Sequence, residues 1–141
     1  MIRPDPDHHT LYHLFFNHHA NKGQQIEGLK VTSPLQAAAA EARLAAQYNI
    51  NISELAPLNA TIAAISLKLD KIDAEAKALL DESHRSKTQP SQTKIDDLQA
   101  RRYLVVMGGV AAVRRTLAPS SWSNIRSYIN QQFRATTQVL H

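Results

Sequence analysis

Leu55, Leu58, Ile62, Ile65, Leu69, Ile72, Ala76 and Leu79 recur at a spacing of 3-4-3-4-3-4-3. An α-helix gathers positions with this spacing on one face, whereas a strand would scatter them over both. The run therefore predicts one long amphipathic helix whose seam must be buried against other helices. Asn51 followed by Glu54 has the form of a capping box at its start. Pro57 falls in the first turns, where it tightens or kinks the chain. Asp73 with Lys77 and Asp81 with Arg85 add favourable i,i+4 pairs. The helix is expected over about residues 52–86.

The remaining segments follow the same period. Tyr12, Phe15, Ile26 and Leu29 share one stripe, predicting a helix from about 8 to 30 despite Gly23 and Gly28. Ser33 as cap and Pro34 at the first helical position open the alanine-rich "PLQAAAAEARLAAQ". "SKTQPSQ" (86–92) reads as a loop, after which Ile95, Leu98, Val105, Val106, Gly109, Val113 and Leu117 trace another seam that Pro119 ends. Trp122, Ile125, Ile129, Phe133 and Leu140 mark a final helix from near Ser121. No segment alternates apolar and polar residues. The expected fold is all-α: residues 1–7 form a flexible N-terminus, and residues 8–141 form an antiparallel bundle of four to five helices.

With 141 residues the chain is long enough for one hydrophobic core. The absence of cysteine removes disulfides, thiolate metal sites and thiol nucleophiles. The longest apolar run, "YLVVMGGVAAV" at 103–113, falls far short of the ~20 residues that span a bilayer, so no membrane span is expected. "MIRPDPDHH" lacks the basic-then-apolar pattern of a signal peptide. Residues 1–93 hold 9 Lys/Arg against 10 Asp/Glu, and residues 94–141 hold 7 against 2. Such a basic third reads as a solvated face rather than a nucleic-acid interface.

The stretches "LYHLFFNHHA", "NISELAPLNATIAAI", "LDKIDAEAKALLDESHR", "LQARRYLVVM" and "LAPSSWSNIRSYINQQF" resemble a family of small exported bacterial helical proteins of unknown function. Its members combine a leading aromatic pair, a long helix ending in a Leu-Asp-x-x-Ala-like element, and a Leu-x-x-x-Arg helix. The resemblance covers most of residues 10–135. It implies an all-helical fold and a periplasmic or extracellular location, and it places Arg and Asp at the positions of Arg102 and Asp73. It implies no activity. The histidine density near the N-terminus and Gly108-Gly109 depart from it.

Several polar residues stand where their type is unexpected. His9 and His13 are i,i+4 on the first helix and could ligate one divalent transition metal, although a stable site needs a third ligand. His19 and Lys22 fall in the seam of that helix, where ionisable groups are buried at a cost unless paired. Arg102 sits between Leu98, Val105, Val106 and Gly109 and cannot shed its charge, so a buried pair with Asp73, or failing that Asp70, is expected. Trp122, Arg126, Tyr128 and Phe133 in the basic third are the expected contact surface. Gly108-Gly109 reads as a point of close helix approach. No catalytic constellation emerges.

The function expected from these features is a binding or structural module acting through protein contact or self-association, with no resident cofactor. One alternative is a metal- or small-ligand-binding bundle using the N-terminal histidines. The other is an enzyme with a site built from His19, Lys22 and Arg102.

Overall fold

The computed structural model describes the backbone of residues 6–139 and the side chains of residues 9–133. Five α-helices follow one another: α1 (Pro6–Thr32), α2 (Pro34–Tyr48), α3 (Leu55–Ser86), α4 (Gln92–Thr116) and α5 (Pro119–Val139). A single 3₁₀ turn, Ile52–Glu54, leads into α3, and no strand occurs among the described residues. The protein is an all-α helical bundle. Residues 1–5 and Leu140 lie outside the described residues. α1 begins at Pro6, inside the segment expected to be loose. α5 begins at Pro119 rather than near Ser121, because proline's fixed φ suits the first helical turn.

The helices form two antiparallel hairpins. In the first, Phe15 and His19 of α1 meet Tyr48 of α2 while Lys30 reaches Glu41. Only Ser33 links the two helices; it occupies the cap position of α2, but its side chain makes no capping bond. α2 ends on Asn49 in the left-handed region (φ 57°), where Asn49 and Ile50 N–H groups close back on Ala46 and Ala45.

In the second hairpin, Glu75 pairs with Arg101, Asp73 with Arg102, and Thr61 with Thr116, while Ile65 touches Gly109. Numbers falling along α3 match numbers rising along α4, which fixes the antiparallel register. A Cβ on Gly109 would stand 2.7 Å from Ile65 Cδ1 and 3.2 Å from Phe16 Cε2, so three helices converge on this glycine. Gly108 faces open space. The expected close approach therefore belongs to Gly109 alone.

The axes of α2 and α3 meet at 98°, a steep crossing at the junction between the hairpins. Glu54 ties the crossing to α5: its carboxylate accepts from Asn51 N (3.2 Å), Ala118 N (3.0 Å) and Ser121 Oγ (2.6 Å). The first of these is the backward half of the expected capping box, and the other two cap α5. Phe15, Phe16, Tyr48, Leu58, Ile62 and Ile125 are enclosed at the centre. The α3 seam is buried from Leu55 to Ile72 but only half-buried at Ala76 and Leu79, where α4 is its main neighbour. No single helix among the described residues is long and apolar enough to cross a membrane.

Candidate functional site

The C-terminal half of α1 and the middle of α3 border a groove of about 570 Å³. Ala20 and Gly23 on one side and Ala60 and Ala63 on the other give it small-residue walls. Leu67 stands on the lip, 65% exposed, with Asp70 beyond it and Glu27 opposite. His19 and Asn59 close the inner end.

His19 is 1% exposed and binds on both sides, with Nδ1 2.7 Å from Tyr48 Oη and Nε2 2.6 Å from Asn59 Oδ1. A carbonyl oxygen only accepts, so Nε2 carries the proton and Nδ1 accepts from the Tyr48 hydroxyl. Burial pushes the imidazole pKa down to about 4, with the His18 charge adding to it and the Asn59 bond opposing it. The ring is therefore neutral at pH 7. Burial, aided by Tyr128, raises the Tyr48 phenol, which keeps its proton and donates it. The result is a directed chain, Tyr48 to His19 to Asn59, joining α2, α1 and α3. Both imidazole nitrogens are used and Tyr48 is enclosed, so the chain orients the Asn59 amide and leaves its N–H groups for solvent or a guest.

No protein-family model, curated protein or solved structure matches this chain.

The structure separates the polar residues singled out in the sequence. His19 is buried, as its seam position implies, but Lys22 is exposed; α1 turns it past the seam to the outer side of the first hairpin. Arg102 lies at the other end of α1, by His9 and His13. These three residues share no site.

Arg102 does pair with Asp73, Nη2 to Oδ1 at 3.0 Å. The pair is not buried, however: the side chains are 27% and 57% exposed. Arg102 leaves its seam by its length and meets Asp73, which stands on the exposed flank of the α3 seam. Asp70 instead faces the α1–α3 groove.

His9 and His13 stand with ring centroids 6.2 Å apart. Burial lowers both pKa values, and the Arg102 charge lowers them further. Among the described residues no group of three or more metal-binding side chains forms, and the nearby guanidinium repels a cation.

The expected contact surface turns inward. Trp122 is buried and stacks on Tyr12 with centroids 6.2 Å apart. Tyr128 meets Tyr48 edge-on at 4.9 Å, and Phe133 meets Phe15 at 6.2 Å. The helical spacing that identifies α5 places these rings on its core face; only Arg126 stays exposed. Tyr48 and Asn59 escaped the sequence reading. They lie 29 and 40 residues from His19, and no local pattern signals partners that stand on two other helices.

Proposed function

We propose that this chain is a non-catalytic binding module that receives apolar side chains of a partner protein in the α1–α3 groove. The observation that carries the reading is Leu67, held 65% exposed on the lip of a groove walled by alanine and glycine. Small walls let a partner segment approach the backbone closely, and an exposed leucine beside them offers apolar area for burial. The polar groups that an enzyme would bring together stand at separate places, which supports binding over catalysis. A periplasmic or extracellular location is the corresponding proposal for where the partner is met, and it rests on the resemblance alone.

Photo-crosslinking in the producing cells tests this. A benzophenone side chain in place of Leu67 is expected to give one discrete protein adduct. The adduct should disappear when Ala63→Trp fills the groove, and none should form from Ala38 on the outer face of α2. Equal adducts from both positions, no adduct, or an adduct indifferent to Ala63→Trp would overturn the reading. An adduct of twice the chain's mass would make the partner a second copy.

A further inference from the structure

The opposite flank of α1 carries a second groove, against α2, of about 690 Å³. Its floor is apolar: Ile26 and Leu44 are buried, and Leu29 is half-buried. Its polar lining consists of Lys22, Gln25, Arg43 and Gln47, with no carboxylate. Lys22 and Arg43 have no ion-pair or hydrogen-bond partner among the described residues. The acids nearest in the hairpin, Glu27 and Glu41, are both engaged by Lys30, at 2.9 and 3.5 Å. One hairpin thus pairs one of its cations with two acids and leaves two cations beside an apolar trough.

We infer that the α1–α2 groove binds a free long-chain carboxylate, with its head between Lys22 and Arg43 and its chain along Ile26, Leu29 and Leu44. The chemistry of the lining selects this class. Arginine's planar fork matches a carboxylate with two parallel bonds, and lysine adds a mobile point charge. The glutamine amides offer further donors, while the floor offers only apolar contact, which a small inorganic anion would not use. A cationic amphiphile would meet the same floor with the wrong charge at the rim. The site is independent of the α1–α3 groove and stands whether or not a protein docks there.

The test is calorimetry on the whole chain with dodecanoate below its micelle concentration, beside acetate, dodecyltrimethylammonium and anionic phospholipid vesicles. Saturable dodecanoate binding is expected, with backbone amide shifts centred on Ala40 and Leu44. Lys22→Gln with Arg43→Gln should weaken it about tenfold or more, and both sites are exposed, so the fold should be unaffected. Acetate and the ammonium compound should not saturate. Three results would overturn the inference: equal binding of the cationic and anionic chains, binding untouched by the double substitution, or binding to vesicles without binding of the monomer.

Discussion

The Nδ1 of His19 accepts the Tyr48 hydroxyl at 2.7 Å, and through this bond the two helices of the first hairpin share the polar chain that continues to α3. Protonating the imidazole would replace an accepted hydrogen bond with a repelled one inside the core. The folded pKa, about 4, lies below the usual 6.5. Between these values the unfolded chain binds more protons than the folded one, so stability falls as pH drops through the window. About 2 kcal/mol should be lost between pH 7 and pH 5. Urea unfolding of the protein and of His19→Gln, which cannot titrate there, checks this. The unsubstituted protein should lose about 2 kcal/mol more than the variant, because His9 and His13, also lowered by burial, contribute equally to both.

Glu54 should matter beyond its own helix. Its carboxylate accepts from the start of α3 and from the start of α5, so Glu54→Ala leaves Ala118 N–H and the buried Ser121 hydroxyl without their acceptor. A loss of about 2 kcal/mol is expected. The Ser121 bond, followed by the backbone bonds, holds the carboxyl below its usual 4.5. Its contribution is therefore present above that value and fades as pH falls through the lower, folded one. Thermal unfolding at pH 7 and pH 3 should show the difference between Glu54 and Glu54→Ala shrinking in acid.

The two adjacent glycines of α4 should respond in opposite directions. Gly108 faces open space, so Gly108→Ala gains helix propensity, about 1 kcal/mol, without a contact to disturb. Gly109→Ala gains the same propensity but drives a methyl group into Ile65 and Phe16, both buried. Overpacking of this kind costs about 1–3 kcal/mol. Gly109→Ala should thus be about 2 kcal/mol less stable than Gly108→Ala in denaturant unfolding. Equal stabilities would show that the α3–α4 register is misplaced.

These cases mark where sequence reading ends. Helical period depends on neighbours in the chain, so the seam from Leu55 onward, the Asn51–Glu54 box and the loop after Ser86 were legible. The pairing of Arg102 with Asp73 was legible as well, because a charge amid Leu98 and Val105 demands a partner. Its burial was not, since a long side chain escapes a seam without leaving a trace in the spacing. The charge around Trp122 and Phe133 points to the surface, but their own helical spacing points inward, and the spacing prevails because it fixes the face of α5 that packs on α1. The 98° angle between α2 and α3, and with it the His19–Asn59 bond and the α1–α3 groove, depends on the few residues from Asn49 to Glu54. Periodicity carries no information about such an angle.

The Arg102–Asp73 pair controls its neighbours more than it controls stability. Its exposure means that water screens it, so a double-mutant cycle should assign it about 0.2–1 kcal/mol. Its effect on His9 and His13 is larger in kind. Burial depresses both imidazoles first, and the guanidinium charge depresses them further by disfavouring a second cation beside it. Removing that charge with Arg102→Gln also releases Asp73, which already acts to raise His13. Both histidines should therefore titrate at higher pH in Arg102→Gln, with His13 moving more, and both should remain below 6.5 because their burial persists. A proton NMR titration of the ring resonances reads this directly. The same variant bears on metal binding: zinc added to it should meet a less electropositive pair. If Arg102→Gln left both titration curves unmoved, Arg102 would not lie against α1, and the placement of α4 beside the first turns of α1 would be wrong.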